Sequence, residues 1–276
     1  LPDAATAPAS VTVRDAIAAA TAELAAAGCD APRLDAELLL AAVLGVDRAR
    51  LVLDARLVLA ADSEAHLCEL VARRARREPV AYILGIKEFR WLEVHVDPRV
   101  LIPRPETELL VESALDLPEA VHVVDVGAGS GAVALAVKSE RPDLSVTGVD
   151  VSAEAVAVAC ENAARLGVDV SFVVGDLVAG IPCDAVLANL PYVAAGTELA
   201  PEITRYEPAG ALFGGPDGLD VIRRLVARLE SVAFVALEIG VDQADAVEGL
   251  LRDAGFAEVE RRRDLAGHER VVVGRR

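Results

Sequence analysis

The apolar positions of this chain change their spacing along its length, and each change predicts a different kind of element. Val13, Ile17, Ala20 and Leu24 recur at helical spacing and Gly28 ends the pattern, which predicts a helix over 11–27. Leu34 to Leu44 is apolar nearly all round, as in a helix buried among others. A third helix, capped by Asp62 or Ser63 and carrying Leu67, Leu70 and Val71, is stopped by Pro79. From Gly85 to Val100 the texture changes. Phe89, Trp91, Val94 and Val96 fall among polar residues in short extended runs, with Asp97-Pro98 as a turn, so a β-hairpin is expected.

Farther on, strand-like runs at 121–126, 144–149, 170–174, 184–188, 232–238, 256–260 and 270–273 alternate with helical stretches at 131–140, 152–166, 218–229 and 242–254. Ser152 and Gly167 bracket the second of these helices as cap and stop signals. Repeated strand–helix units with Val-rich strands predict an α/β fold, a mostly parallel sheet covered on both faces. The last connection, Asp264 to Glu269, holds Gly267 and no helix, so the final two strands should pair antiparallel.

Composition narrows the classes. A length of 276 residues allows one large domain or one domain with a smaller companion. The hydrophobic fraction of 54% is carried largely by Ala and Val, and no run of about 18 uncharged apolar residues occurs, so no membrane span is expected. Leu1 to Ser10, rich in Ala and Pro, lacks the basic and apolar regions of a signal peptide and is expected to be a frayed leader. Cys29, Cys68, Cys160 and Cys183 are scattered with no C-x-x-C, which suits reduced thiols in a cytoplasmic protein rather than a zinc site. His66, His95, His122 and His268 show no ligand spacing either. A net charge of −17 argues against gripping nucleic acid through its phosphates. The basic cluster Arg73, Arg74, Arg76 and Arg77 suits the negative end of a helix as well as a binding patch.

Two stretches carry candidate chemistry. Val121 to Val126 runs straight into Gly127-Ala128-Gly129-Ser130-Gly131, which opens a helix; glycines there let the backbone turn sharply and approach a ligand closely. Asp150, about twenty residues on, ends the next strand, where an acid can hold ribose hydroxyls. The same loop fits a dinucleotide fingerprint. The second stretch is Asn189-Leu190-Pro191-Tyr192, at the end of the apolar run Ala185 to Ala188. Asn189 offers an amide oxygen, Tyr192 a flat ring, and Pro191 holds Leu190 extended so that its carbonyl can face a site. Two acceptors beside an aromatic plate suit a planar NH2 group; alone, the stretch is also explained by a turn closing a strand. Asp176, ending the third strand, would lie near an adenine or be an ordinary turn residue. Ile102-Pro103-Arg104-Pro105-Glu106-Thr107-Glu108 suits either a helix start or a loop folded over a ligand. Neither Glu106 nor His122 is assigned as a general base.

Taken together, Arg104–Glu108, the Gly127–Gly131 loop, Asp150 and Asn189-x-Pro-Tyr192 resemble the bacterial release factor glutamine methyltransferases. So do Arg77-Glu-Pro-Val-Ala-Tyr-Ile-Leu-Gly85 and Glu207-Pro-x-x-Ala-Leu-x-Gly-Gly-x-Asp-Gly218, and the likeness covers about residues 11–276. The resemblance implies a class I methyltransferase fold, a doubly wound and mostly parallel seven-stranded sheet, with a small all-α N-terminal domain. It divides the chain into a helical substrate-recognition domain at 1–84, a hairpin linker at 85–103 and a methyltransferase domain at 104–276. It implies S-adenosyl-L-methionine as donor and the Gln of a release factor Gly-Gly-Gln motif as acceptor, with no stable nucleic acid, no membrane and a monomeric enzyme. Carried over, Gly127, Ala128, Gly129, Ser130, Gly131, Asp150, Asp176, Leu177 and Asn189 contact the donor, and Asn189, Leu190, Pro191 and Tyr192 hold the glutamine.

The family usually has Pro where this chain has Leu190; the carbonyl survives that change. Asn189-Leu-Pro-Tyr192 also resembles the ribosomal RNA adenine dimethyltransferases, which is the alternative substrate class. The acidic charge, the N-terminal helices and Arg104–Glu108 stand against it. A binding module without catalysis is a further alternative, opposed by the intact Asn189 and Tyr192.

Overall fold

The computed structural model describes residues 11–178 and 180–276, so the expected leader at Leu1–Ser10 lies outside the described residues. The chain forms two compact units divided between Gly85 and Ile86. In the first, α1 (Val13–Ala26) opens on a capping box in which Thr12 and Asp15 satisfy each other's backbone N–H groups. Pro32 starts α2 (Pro32–Leu44), and Gly45, in the left-handed conformation, ends it. Short helices α3 (Arg48–Leu53) and α5 (Val80–Leu84) flank α4 (Ala61–Ala75). Their core is Leu24, Leu39, Leu40, Leu51, Leu67 and Val71 among others.

The cap of α4 differs from expectation. The N-cap is Ala60, which makes no side-chain bond, and Asp62 and Glu64 lie in the first turn, where their charge complements the positive end of the helix dipole. Of the four-arginine cluster only Arg74 is buried, and Arg73 and Arg77 are engaged by groups of the same unit. Arg74 is buried and donates to Asp35 at 2.8 Å, Arg73 grips Glu78 through two nitrogens, and Arg77 donates to the Gly28 carbonyl.

The second unit begins with a hairpin, β1 (Ile86–Phe89) paired antiparallel with β2 (Leu92–His95). A 3-10 turn at Pro105–Thr107 then leads into α6 (Glu108–Leu115), so the proline-flanked stretch is a helix start. Among the described residues seven strands form one sheet: β3 (His122–Val126), β4 (Ser145–Asp150), β5 (Ser171–Val174), β6 (Ala185–Ala188), β7 (Phe234–Glu238), β8 (Glu258–Arg263) and β9 (Glu269–Arg275), in the order β5-β4-β3-β6-β7-β9-β8. The first five run parallel and β9 pairs antiparallel with both β7 and β8. Between them lie α7 (Ala132–Glu140), α8 (Ala153–Leu166), α9 (Pro201–Tyr206), α10 (Asp220–Val226) and α11 (Ala244–Asp253). Every residue of β6 and β7 is buried, as strands covered on both faces require.

The sixth predicted strand, 256–260, is displaced. Phe256 turns into the core instead of starting β8, which is the charged run Glu258–Arg263 at the sheet edge. Arg261 there pairs with Asp245, Glu248 and Glu269, and such charges keep an edge from pairing with another chain. Going from β3, the chain winds first to β4 and β5 and then crosses to β6 on the other side. The topological switch point lies between β3 and β6, where open sheets bind ligands beyond the carboxyl ends. Pairing of Val126 with Ala188 sets Gly127 and Asn189 side by side at that point.

Removing Asp35 takes from buried Arg74 the carboxylate that accepts from it at 2.8 Å. Asp35→Ala is therefore expected to destabilise the first unit by about 3 kcal/mol. Arg50→Ala, which breaks the exposed Arg50–Asp54 pair, is expected to cost less than about 1 kcal/mol. Urea unfolding of both variants checks this, and equal effects would show that the buried pair contributes nothing special.

Candidate active site

A cavity of about 470 Å³ opens at the carboxyl ends of β3, β4 and β6. One wall is formed by Gly127–Ser130 of the loop Gly127–Gly131, in which Gly127, Gly129 and Gly131 adopt φ of 76°, 54° and 82°, a region L side chains rarely enter. The amides of Gly127 and Ala128 both donate to the Val149 carbonyl, at 2.8 and 3.0 Å, which ties the loop to β4. A Cβ at Gly127 would lie 3.3 Å from Leu190 Cδ2, so glycine there lets the loop and Leu190 pack together. Asp150 accepts from Gly129 N and Ser152 N, each at 2.9 Å, through different oxygens. Each oxygen keeps a lone pair for a hydroxyl. Buried Asn162 fastens the same loop from behind: Nδ2 donates to the carbonyls of Ser130 and His95, and Oδ1 accepts from His95 N.

Farther round the wall, Leu177 sits at a φ of 57° and is buried. Asp176 lines the cavity, yet both its oxygens are taken by Arg224 and one also by Arg228. Burial pushes its acidity one way and Arg224 and Arg228 the other; the arginines win, and its pKa is lowered.

Beside this cavity lies a smaller hollow of about 200 Å³, lined by Arg104, Tyr192, Val193, Ile203 and Leu212 among others. Asn189 lines both spaces, as do Leu101 and Ala211. Asn189 Nδ2 donates to Thr107 Oγ1 at 3.1 Å, which leaves Oδ1 as the amide's open acceptor. No backbone N–H of the described residues donates to the Leu190 carbonyl. The Leu190 side chain is buried in the core and does not enter the hollow's lining. Tyr192 is held at both ends: its hydroxyl donates to Glu238 Oε1 at 3.2 Å, and its carbonyl accepts from Gln243 Nε2 at 3.0 Å. Gly214 and Gly218 press against the carbonyls of Pro191 and Tyr192 so closely that a Cβ at either would collide. Hydrogen bonds from Val193 N to Leu212 O and from Gly214 N to Val193 O, both 2.9 Å, complete this strap. Arg104 reaches buried Glu207 at 2.6 and 2.8 Å, so the two motifs that contain them meet in space.

Two buried acids adjoin the site, Asp125 in the lining of the larger cavity and Glu238 outside both linings. Burial raises the Asp125 carboxyl to about 7; the Ala134 amide offsets part of this and nearby Asp150 adds to it. Burial likewise raises Glu238 to about 7, with the Thr107 and Tyr192 hydroxyls pulling down, Glu106 pushing up and Arg270 pulling down. Glu207 is raised by burial despite Arg104, and Tyr192 is raised by burial and by Glu238.

The geometry therefore gathers Gly127–Ser130, Asp150, Asp176, Leu177 and Asn189–Pro191 around one cavity, and Asn189 and Tyr192 around its neighbour, whereas Gly131, expected at the donor, is not in the lining and packs against Phe172, Ala159 and Leu135. His122 lies at the opposite end of β3, its ring nitrogens engaged by Pro182 O and Thr147 Oγ1. Asp125, Asn162, Arg224, Glu238 and Gln243 were missed from the sequence. Glu238 carried one signal, a lone acid closing the apolar run Phe234–Leu237. No group of metal-binding residues occurs among the described residues.

The sheet order, the glycine loop after its central strand and the acid closing the neighbouring strand define a class I S-adenosylmethionine-dependent methyltransferase. The cavity fits that donor: bare backbone lines one side, and Asp150 can accept from ribose hydroxyls. Residues 105–206 match the methyltransferase small domain and residues 15–85 the PrmC N-terminal domain. A release factor glutamine methyltransferase of Caulobacter vibrioides is 42% identical over 96% of both chains. One from Burkholderia pseudomallei is 45% identical over 88% of this chain and 91% of its own. The chain belongs to the release factor glutamine methyltransferase family. The fold alone is shared with the 16S rRNA N2 G1207 methyltransferase of T. thermophilus, solved with AdoMet and guanosine, at a TM-score of 0.51, 15% identity and coverage of 69% and 49% of the two chains.

The raised carboxyls make stability depend on pH. A group whose pKa is higher folded than unfolded adds stability that is complete below the unfolded value of about 4 and lost as pH rises through the folded one. For Asp125 and Glu238 that window runs from near 4 to about 7. The loss is up to roughly 4 kcal/mol for each, at 1.36 kcal/mol per pKa unit. Asp125→Asn and Glu238→Gln are each expected to flatten the fall in urea-unfolding free energy between pH 5 and 8 (roughly the span over which these groups ionise). Slopes equal to the parent's would contradict the assignment.

Proposed function

We propose that this chain methylates the side-chain amide nitrogen of the Gln in the Gly-Gly-Gln motif of peptide chain release factors. The observation that carries the reading is Asn189, which stands between the two cavities with its oxygen uncommitted and its nitrogen tied to Thr107. When bound, S-adenosylmethionine supplies a methyl on a cationic sulfur that becomes a neutral thioether as the methyl leaves. Gly127–Ser130, Asp150, Asp176 and Leu177 would hold it in the larger cavity, Asp150 through the ribose hydroxyls.

A carboxamide nitrogen is a weak nucleophile because its lone pair is delocalised into the carbonyl. Asn189 Oδ1 and the Leu190 carbonyl each accept one of its hydrogens, which orients the nitrogen toward the larger cavity. Leu190 serves as well as proline here because only its carbonyl is used. The Tyr192 ring packs on the amide plane, and its hydroxyl, committed to Glu238, is not offered to the substrate. Pro191 restricts Leu190 and so aims that carbonyl. The proton released from the methylated nitrogen passes to water.

Residues 1–84 serve as the recognition domain and 85–103 as the connection to the catalytic part. The enzyme acts as a monomer in the reducing cytoplasm, consistent with cysteines that form no disulfide among the described residues. No helix among the described residues is long and apolar enough to cross a membrane. The net charge of −17 disfavours the alternative, an exocyclic adenine amine in ribosomal RNA, since RNA binding is carried largely by cations on phosphates.

Incubation with methyl-labelled donor tests the reading directly. Label is expected in a Gly-Gly-Gln release factor, absent when that Gln is replaced by Ala, and absent from ribosomal RNA. Label in the RNA, or in the Gln→Ala factor, would overturn it.

A further inference from the structure

A primary amide entering the smaller hollow brings two N–H donors and one carbonyl oxygen. Asn189 Oδ1 and the Leu190 carbonyl take the donors, so the amide oxygen needs a donor of its own. Left without one in a site closed from water, it weakens binding. Of the side chains that line the hollow, Arg104, Asn189 and Tyr192 carry polar groups and the others are apolar. The Asn189 nitrogen is turned to Thr107, and the Tyr192 hydroxyl to Glu238.

Arg104 has donors to spare. A guanidinium carries five N–H groups in a fixed plane. Arg104 uses only Nη2 on Glu207, reaching its two oxygens at 2.6 and 2.8 Å. Its Nε and Nη1 make no hydrogen bond to any described residue, and its side chain is 31% exposed. The bracing end is fixed. The Glu207 side chain is 1% exposed, and it directly follows α9, whose Ile203 lines the same hollow. Pro105 keeps Arg104 extended, and the Arg104 carbonyl accepts from Thr107 N at 3.1 Å. One turn thus carries both Arg104 and the hydroxyl that takes the Asn189 nitrogen.

We infer that Arg104, braced by Glu207, donates to the side-chain carbonyl oxygen of the acceptor glutamine and so helps select a primary amide. This inference rests on the proposed function above, since it names the partner of the one amide atom which that reading leaves unmatched. A hydrogen bond to the oxygen draws the nitrogen lone pair further into the carbonyl, so the contact serves binding and not nucleophilicity. A lysine ammonium in the same place would meet the guanidinium as a like charge.

The test is a double-mutant cycle between enzyme and release factor. The full-length parent, Arg104→Lys, and Arg104→Met combined with Glu207→Leu are each titrated with a Gly-Gly-Gln factor and with its Gln→Ala variant, S-adenosylhomocysteine being present to prevent turnover. Lysine keeps a cation for Glu207 without the fork. The paired replacement removes both charges, a change close to neutral for stability, so its melting temperature should match the parent's. Both variants are expected to bind the Gln factor roughly 10–100-fold more weakly than the parent does, and the Ala factor within about threefold. Single-turnover transfer at saturating factor and donor should fall by less than about threefold, as for a contact made equally before and during reaction. Equal losses for the two factors would place the contact on the factor's main chain and overturn the inference. Parental affinity of a folded variant for the Gln factor would overturn it too. If one variant fails to fold, the other carries the cycle. Failure of the parent itself to methylate the Gln would instead overturn the proposed function.

Discussion

A buried polar group must find a partner, and in this protein that requirement determines which face of one amide meets the substrate. Asn189 has an oxygen and a nitrogen of nearly equal size on the same rotor. Only the commitment of the nitrogen to Thr107 makes the oxygen the end that faces the cavities. Asn189 is half-buried, Thr107 and Glu238 are buried, and the Tyr192 hydroxyl donates to Glu238. Chemistry at the mouth of the site is thus set by hydrogen bonds one layer below it.

The scaffold exists to keep that layer still. Crossing the chain from β5 to β6 creates the switch point, and the register of β3 with β6 puts the glycine loop and Asn189 in adjacent positions. Asn162 holds the loop from one side, while Gln243, Gly214 and Gly218 hold Pro191 and Tyr192 from the other. The ion pair of Arg104 with Glu207 closes the rim of the smaller hollow. These restraints come from five separate stretches of the chain, so the site's geometry is a property of the tertiary fold.

That origin explains what was legible in the sequence. Strands covered on both faces announce themselves as Val- and Ala-rich runs, so β3, β4, β6 and β7 were visible. The strand ending the sheet was displaced because Phe256 is apolar for core packing rather than for pairing, while the edge strand itself is charged. The α4 cap was misplaced because Ala60 gives no sequence signal. Local motifs such as Gly127–Gly131 and Asn189–Tyr192 could be found because their chemistry is contiguous. Asn162, Glu238 and Gln243 could not, since each acquires its partner only when distant segments meet. The arginines at 73–77 show the same limit: their charge is plain in the sequence, but Asp35 as the partner of Arg74 is not.

The central claim is that the Asn189 oxygen positions the acceptor amide, and Asn189→Ala compared with the parent in single-turnover methyl transfer tests it most directly. The account expects a folded variant with nearly parental donor affinity and a rate lower by roughly 10²–10³, the loss typical of one preorganised hydrogen-bonding group. A folded Asn189→Ala enzyme that transfers methyl at the parental rate would contradict it.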